Sequence, residues 1–225
     1  MSSPPLISVK GEATLEVDPE IAVVDVTVMA RDKDRHAAMD RLAARNEHIL
    51  ALVKALGPAV EKVESGPASI WPEFKDVKAR ERVAGYVAQA GVTVTIGDFS
   101  ALGELVPRLA GEELVTVTGP WWRLRPGSPV ARQARRSAAR DAMARAAEYA
   151  EAFGGRITGL VEAADPGLMG SGPGPGRPGR PIRAAALAAA GPESGGAEFT
   201  FEPVRQTVHA EVDARFTMTP PEFSA

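Results

Sequence analysis

The sequence contains no cysteine and only three histidines among its 225 residues. Without cysteine, the chain can form no disulfide bond, no thiolate nucleophile and no thiolate metal site. This absence does not indicate a compartment, because a cysteine-free chain tolerates any redox environment. The sequence also lacks a run approaching the roughly 20 apolar residues that a membrane-spanning helix needs. We therefore predict no transmembrane segment.

The histidines and glycines that are present form no catalytic or ligand-binding motif. His36 and His48 lie about 18 Å apart along a helix, at ~1.5 Å per residue, which is too far to share a metal ion. No His-x-x-x-His or Glu-x-x-His pair typical of zinc sites occurs. The glycine-rich run at 170–176 lacks the Lys-Ser/Thr ending of a phosphate-binding loop, and no Gly-x-Ser-x-Gly elbow is present. We predict no catalytic residues, no metal site and no cofactor, and we interpret the protein as not an enzyme.

The overall composition is that of an ordinary globular protein. Hydrophobic residues make up 44% and charged residues 24% of the chain, and the net charge of −3 predicts no particular partner. The length suits one large domain or two small ones. Residues Met1–Lys10 show no basic leader followed by an apolar run, so no secretory signal is visible. On this basis we predict a cytoplasmic location.

The first quarter of the chain predicts two strands followed by a long helix. Alternating small or apolar residues indicate a strand pair within Ile7–Ala30. A 3-4 spacing of apolar residues then indicates one helix over Lys33–Leu56, capped by Asp32 or Asp34. Asn46 lies within the apolar stripe of this helix. It is either a ligand-binding amide or, as we favour, a residue that bonds a neighbouring backbone or fixes the register of a helix pair.

The remaining chain predicts further strands and helices. The pattern indicates strands at 60–74, 86–96, 114–124, 157–163 and 204–218, with helices at about 98–109 and 128–153. The charged run Lys75–Arg82 is interpreted as the solvated loop of a hairpin. The last helix is expected to bury one face, formed by Ala134, Ala138, Ala142, Tyr149 and Phe153.

This order of elements predicts an α+β fold. Hairpin-like neighbours and helices with a single apolar stripe indicate a largely antiparallel sheet with the helices packed on one face. Two strand–strand–helix modules in succession hint at an internal duplication. We assign residues 1–164 and 199–219 to one domain. Residues 165–198, where Pro and Gly supply 15 of 34 positions, are predicted to be a mostly disordered insertion, and 220–225 a tail.

Several segments together carry a family resemblance. They are Ile7–Ala13 (ISVKGEA), Val17–Val24 (VDPEIAVV), the Ala/Asn/Leu-rich helix to Leu56-Gly57, Gly85-Tyr86 at the start of a strand, the Ala- and Arg-rich helix Ala131–Gly155, and the final alternating strand. In these features the chain resembles the SIMPL-domain family, which includes bacterial periplasmic immunogenic proteins and a protein linked to defence against oxidative stress. The likeness covers almost the whole chain except 165–198, although each motif is short.

The resemblance implies an α+β fold and, from some relatives, a tendency to assemble into large rings or channel-like oligomers. It supplies no established catalytic residue that can be transferred to this sequence. Two features depart from the family. Many relatives carry an export signal that is not visible here, and the Gly/Pro-rich segment at 165–198 is longer than the linker expected from relatives.

The most distinctive local feature is a basic strip, Trp121–Arg145. It contains seven arginines and one acid, a local charge of +6, whereas the rest of the chain carries 19 basic and 28 acidic residues and a charge of −9. Helical spacing places three of these arginines, the arginine row, on a flank away from the alanine face. If the segment is extended, its two tryptophans point to opposite faces, one toward the core. The candidate interaction residues are Trp121, Trp122, Arg123, Arg125 and the arginine row Arg132, Arg136 and Arg140.

Three functional hypotheses follow. The leading one is a non-enzymatic SIMPL-like protein, related to stress responses by resemblance, that acts by self-assembly into a homo-oligomer or by binding a protein partner, with the basic strip docking on acidic surface. The second is a nucleic-acid-binding or anionic-surface-binding module, in which arginines contact phosphates and an exposed tryptophan stacks on bases. The third is an enzyme whose site forms between subunits. The alternative without a binding role is that the strip is an ordinary solvated helix face.

Overall fold

The computed structural model describes residues 4–77, 80–168 and 200–221. Its fold is α+β, as predicted, and its elements follow the predicted order. In chain order they are β1 (Leu6–Val17), β2 (Ile21–Asp32), α1 (Arg35–Lys54), β3 (Val60–Val77), β4 (Arg80–Ile96), α2 (Leu102–Ala110), β5 (Val115–Arg123), α3 (Pro129–Ala152), β6 (Ile157–Ala164) and β7 (Gln206–Met218).

The elements divide between two compact units, each with its own sheet. The three-stranded unit contains α3 and a sheet of order β1-β7-β6. The four-stranded unit contains α1, α2 and a sheet of order β3-β4-β2-β5, in which all neighbours are antiparallel. The assignment of 1–164 and 199–219 to one domain stays a prediction. Residues 169–198 of the predicted insertion and 222–225 of the predicted tail lie outside the described residues.

The core of the four-stranded unit is built from large aliphatic side chains. β2 runs through its middle and buries Val24, Val26 and Val28, because alternate residues of a strand share one face. Val24 and Val26 lie directly opposite Val94 and Val92 of β4. Both helices of this unit cover that face with buried residues: Ala38, Leu42, Ile49 and Val53 from α1, and Leu102, Leu105 and Leu109 from α2.

Helix α1 begins and packs largely as its sequence predicts. The Asp34 carboxylate accepts hydrogen bonds from the backbone N–H groups of His36 and Ala37, both at 2.9 Å, so Asp34 is the cap. Asn46 lies on the core side of the helix, and its Oδ1 atom is buried without a hydrogen-bond partner among the described residues. The expected bond from a neighbouring backbone to this oxygen is therefore not found.

The core of the three-stranded unit is built from small residues. Helix α3 buries an unbroken row of alanines at every fourth position: Ala134, Ala138, Ala142, Ala146 and Ala150. The row approaches β1 so closely that a Cβ atom added to Gly11 would lie 2.1 Å from the carbonyl oxygen of Ala138. Phe216 and Met218 of β7 complete this core. Glycine is thus required at position 11 by contact with the helix backbone.

Two predictions about strand pairing were wrong. β1 and β2 do not pair with each other but belong to different sheets. Pro19, between the two strands in the chain, is buried and has no N–H to donate, so it cannot supply a ladder bond to a hairpin of β1 and β2. The single predicted sheet is accordingly two sheets, and the two strand–strand–helix modules differ in how their strands pair.

Two further expectations were wrong. Within the charged run Lys75–Arg82, residues 75–77 and 80–82 are strand and pair across the hairpin, because the backbone ladder continues through a solvated sequence. On α3, Tyr149 and Phe153 are 54% and 50% exposed instead of buried. The alanine row already fills the space against the sheet, and aromatic rings do not fit at that short separation.

Candidate interaction surfaces

The two tryptophans of β5 point to opposite faces of its sheet, as predicted. Trp122 lies opposite Ala22 and packs edge-on against Phe99, with ring centroids 4.8 Å apart. Trp121 lies opposite Val23 on the other face and is 37% exposed. Trp122 therefore belongs to the core, and Trp121 is left as a surface aromatic residue.

A bulge in β5 sets this arrangement. Between the pairs Val23–Trp121 and Asp25–Thr118, β5 contains an extra residue at Gly119-Pro120. The extra residue lies in β5 and not in β2, where Val24 alone separates the two pairs. Gly119 has φ +117°, and a Cβ atom there would lie 2.8 Å from the carbonyl oxygen of Val23. Only glycine adopts this positive φ without strain and also leaves room for the Val23 carbonyl oxygen.

The arginines at the end of β5 have different surroundings. Arg123 is exposed. Arg125 forms an ion pair with Glu61 through Nη2, with a second contact of 3.3 Å from Nε, and its backbone N–H donates to Glu20 at 2.7 Å. The hydrogen bond from Arg125 lowers the pKa of Glu61, and the same bond raises the pKa of Arg125. Arg125 thus ties the end of β5 to β3 and is already neutralised.

The arginine row lies on α3, which is capped by the Ser128 hydroxyl, an acceptor for the N–H of Val130. All three arginines of the row are exposed, and none has a carboxylate within 4.0 Å among the described residues. They line a shallow surface cavity of about 370 Å³ together with Pro129, Gln133 and Ser137. The row is therefore a cationic surface without a counter-charge in the described part of its unit.

The only acid within the basic strip does not neutralise the row. Asp141 accepts a hydrogen bond from the backbone N–H of Glu12 at 2.9 Å and pairs with Arg145 at 2.9 Å. Its carboxylate is used to hold α3 against β1 and to balance the last arginine of the strip. Trp121–Arg125 belongs to the four-stranded unit and the arginine row to the three-stranded unit, so the basic strip is divided between the two units.

Sequence reasoning missed a second candidate surface, on the hairpin of β3 and β4. β2 stops where Asp32 pairs with Tyr86, but β3 and β4 continue pairing beyond that point to Val77 and Arg80. We call this two-stranded extension, residues 73–77 and 80–85, the hairpin arm. Phe74 and Val83 face each other across the arm and are 53% and 50% exposed. The apolar residues at the two ends of the charged run were the available signal.

A polar network joins β1 to β7 on the solvent face of the three-stranded sheet. His209 bonds Thr14 through Nδ1 and Glu211 through Nε2, both at 3.0 Å, and Lys10 donates to Glu211 at 2.9 Å. The hydrogen bond with Lys10 lowers the pKa of Glu211 and raises the pKa of Lys10. Hydroxyl, imidazole and carboxylate are connected as in a catalytic relay, but His209 is half exposed and not enclosed from water. We interpret the network as tying the strands together.

A small cleft of about 310 Å³ lies between α1 and the turn before β5. Its polar groups pair with one another. Arg45 donates to the carbonyl and carboxylate of Glu113 at 2.7 and 3.1 Å, and His48 contacts Glu112 at 3.2 Å. Among the described residues, no group of three His, Asp or Glu side chains is arranged to hold a metal ion. The described helices include none that is long and apolar enough to cross a membrane.

Comparison with known proteins identifies relatives over most of the chain. The family model for SIMPL, described as a protein of unknown function (DUF541), matches residues 7–216. The chain is 24% identical over 178 residues to the 26 kDa periplasmic immunogenic protein of Brucella melitensis biotype 1. The aligned region covers 73% of this chain and 69% of that protein. The protein of the same name from Brucella abortus strain S19 matches to the same extent.

Proposed function

Because the chain belongs to the SIMPL family of proteins of unknown function, we propose a role from its own surfaces: a non-enzymatic protein that acts by self-assembly or by binding another protein. The observation that supports this proposal is the uncompensated arginine row. Seven other arginines across both units pair with acids: Arg41, Arg45, Arg108, Arg125, Arg145, Arg205 and Arg215.

The row has a physical reason to bind an acidic surface. Its members are separated by four residues, a rise of about 6 Å each, and like charges at this spacing destabilise an isolated helix by a few tenths of a kcal/mol. A carboxylate-bearing surface placed against the row relieves that repulsion. Since the rest of the chain carries the excess of acidic residues, a second copy offers such a surface. Docking of one surface on a different one gives rings or filaments.

The test is the solution mass measured by light scattering after size exclusion. A variant with Arg132, Arg136 and Arg140 changed to Gln is compared with one in which Arg41, Arg108 and Arg205 are changed to Gln. Both lose three positive charges, but the control removes arginines that are already paired. We expect the control to keep the oligomeric mass of the unmodified chain at low salt and the row variant to approach the monomer. Equal masses for the two variants would contradict the proposal.

A second candidate function is binding of nucleic acid by the same row. Guanidinium groups match phosphate oxygens in a bidentate manner, and Gln133 and Ser137 beside the row supply further donors. Three phosphate contacts predict a slope of about −2 to −3 for the logarithm of the binding constant against the logarithm of salt concentration. Fluorescence anisotropy of a labelled oligonucleotide measures this slope. No binding at low salt would dispose of the candidate.

The cellular compartment and a role in stress responses are two further proposals. The two Brucella relatives are named periplasmic, and the cytoplasmic location expected for this chain stays a prediction. Fractionation of cells that express the full-length gene product, with marker enzymes for each compartment, decides between them. The stress role rests on the family resemblance, and survival of a deletion strain under peroxide tests it.

A further inference from the structure

The sheet of the four-stranded unit has an outer face that the described helices of this unit do not cover. Helices α1 and α2 both pack on the inner face, where Val24, Val26 and Val28 are buried. The alternate residues of the same strands point to the outer face, because successive side chains of a strand lie on opposite sides. Near its middle this face carries hydroxyl groups and one carboxylate. We call these residues the threonine face: Asp25, Thr27, Thr93, Thr116 and Thr118.

Asp25 lies at the centre of the threonine face. It pairs with Thr93 of β4 on one side and with Thr118 of β5 on the other. The Thr93 hydroxyl donates to Oδ1 of Asp25 at 2.6 Å, whereas Oδ2 accepts no bond among the described residues. Thr27 and Thr116 form the next pair along the two strands. Asp25 and Thr27 are half-buried, and Thr116 and Thr118 are exposed, so these groups are accessible to a ligand.

Trp121 borders the threonine face on the same side of the sheet. Its ring leans back along β5, since Cε3 lies 3.4 Å from the position that a Cβ atom of Gly119 would take. At the other border Gly91 lies opposite Thr27. A Cβ atom added to Gly91 would meet only Gly66, at 4.0 Å, so the face is open there. An exposed aromatic ring, several hydroxyls, a carboxylate and free space therefore occur together in one patch.

The charges around this patch favour a neutral partner. Arg123 follows Trp121 on the same side of β5, and Asp25 lies on the adjacent strand. On the far edge strand, Lys62 pairs with Glu64 at 2.6 Å. The two positive and two negative groups sum to zero, so the patch offers no excess of cations to a chain of phosphates. Hydrogen-bonding capacity and an aromatic ring remain as its means of recognition.

We propose that the threonine face and Trp121 bind a neutral, β-1,4-linked saccharide. A sugar ring presents C–H groups on its flat side, which stack on the apolar body of an indole. Its hydroxyls both donate and accept, which matches threonine hydroxyls and the strongly accepting carboxylate of Asp25. Strands about 4.8 Å apart arrange these groups as a flat grid, which suits the extended chains of β-1,4-linked glucose or N-acetylglucosamine. This binding activity goes beyond the proposed association and uses a different surface from the arginine row.

The first experiment is isothermal titration calorimetry with cellotriose and with chitotriose. Trp121→Ala is compared with Trp71→Ala, which removes a tryptophan that is 42% exposed on the same side of the sheet. Trp71 lies opposite Val87, whereas Val23, the partner of Trp121, lies opposite Thr95. Eight positions of β4 separate the two sites, a distance of about 26 Å, which is longer than a trisaccharide.

We expect the unmodified chain to bind at least one of the two trisaccharides. Trp121→Ala should raise its dissociation constant at least about tenfold, and Trp71→Ala should leave it unchanged. Thermal denaturation of both variants checks that they are folded. No binding of either trisaccharide by the unmodified chain would overturn the proposal, as would equal weakening by the two variants. Binding of a single-stranded oligonucleotide that depends on Trp121, without saccharide binding, would assign the ring to base stacking instead.

A second experiment does not depend on removing a large side chain. Thr118→Val replaces one exposed hydroxyl by a methyl group of similar volume. The matched control is Thr207→Val, the same change at an exposed position of the other unit. We expect Thr118→Val to weaken binding of the trisaccharide severalfold, because one hydrogen bond to the sugar is lost, with the control unchanged. Equal affinities of these two variants would show that the threonine hydroxyls do not contact the saccharide and would overturn the proposal.

Discussion

The two units hold a helix against a sheet with side chains of opposite size. In the four-stranded unit, valines of β2 and β4 meet isoleucine and leucine from α1 and α2. In the three-stranded unit, alanines of α3 meet Gly11, and backbone atoms nearly touch. The first arrangement gains its stability from buried aliphatic area, and the second from a short separation that small residues permit. The first should be sensitive to removal of atoms, and the second to their addition.

The largest predicted effect comes from one added methyl group at the short separation. Gly11→Ala places a carbon atom where Ala138 and Ala142 already stand, so helix and strand must move apart. We expect a destabilisation of about 3 kcal/mol or more, at the upper end for overpacking. Urea denaturation followed by far-UV circular dichroism measures it. Gly91→Ala is the control, since its added Cβ would meet only Gly66 at 4.0 Å. If Gly11→Ala destabilised the protein no more than Gly91→Ala does, the result would contradict the close packing of α3 against β1.

The next largest loss of stability is expected from the opposite change, the removal of atoms from the core of the four-stranded unit. Ile49→Ala removes a fully buried side chain from α1 and leaves a cavity between helix and sheet. We expect a loss of about 3 kcal/mol, within the usual range for large-to-small core substitutions. The same denaturation measurement applies. Met39→Ala on the same helix removes a partly exposed side chain and should cost much less. Similar costs for both variants would show that α1 is not packed as described.

A smaller effect tests the polar residue within the aliphatic core. Asn46→Leu replaces a buried oxygen that has no described partner by an apolar group of similar size. We expect unchanged stability or a gain of about 1 kcal/mol, because the cost of an unsatisfied buried acceptor disappears. Thermal denaturation detects the change. A clear loss of stability would indicate that the amide is bonded after all and would restore a structural or ligand-binding role for Asn46.

The smallest effect concerns pH. The folded-state pKa of Glu61 lies below its ordinary value of 4.5 because Arg125 donates to it. A carboxyl group with a lowered pKa contributes stability above the unfolded pKa, and this contribution is lost as the pH falls through the folded pKa. Glu61→Gln should therefore reduce the difference in urea midpoint between neutral and acidic pH. Glu47→Gln, which removes an acid without a described ion pair, is the control. If the urea midpoints of the two variants changed equally with pH, the Glu61–Arg125 pair would make no contribution to the pH dependence of stability.

Much of this fold was predictable because it depends on local chemistry. Alternation located the strands, a capping aspartate located the start of α1, and alternate facing separated Trp121 from Trp122. These features depend on the period of an element or on a side chain near its own backbone. The class and the order of elements follow from them.

The rest depends on pairing between distant segments. Nothing local shows that β1 and β2 join different sheets, or that the hairpin continues through Lys75–Arg82, since both depend on which backbone lies alongside. The row from Ala134 to Ala150 was ambiguous for another reason. From the sequence, either the alanines or the nearby aromatic residues could form the buried face of α3. The close contact of α3 with Gly11 leaves room only for the alanines. The candidate site divided in the same way, because Glu61 and Glu20, the acids that contact Arg125, are distant from it in sequence. Helical spacing alone could likewise not show that the arginine row has no counter-charge among the described residues.

The mass of the unmodified chain as a function of salt tests the central claim, that this protein associates with itself, most directly. Light scattering after size exclusion at low (~50 mM) and high (~1 M) salt is sufficient. We predict an oligomer at low salt that dissociates at high salt toward the 23.6 kDa mass of one chain. A mass of 23.6 kDa at both salt concentrations would contradict the account.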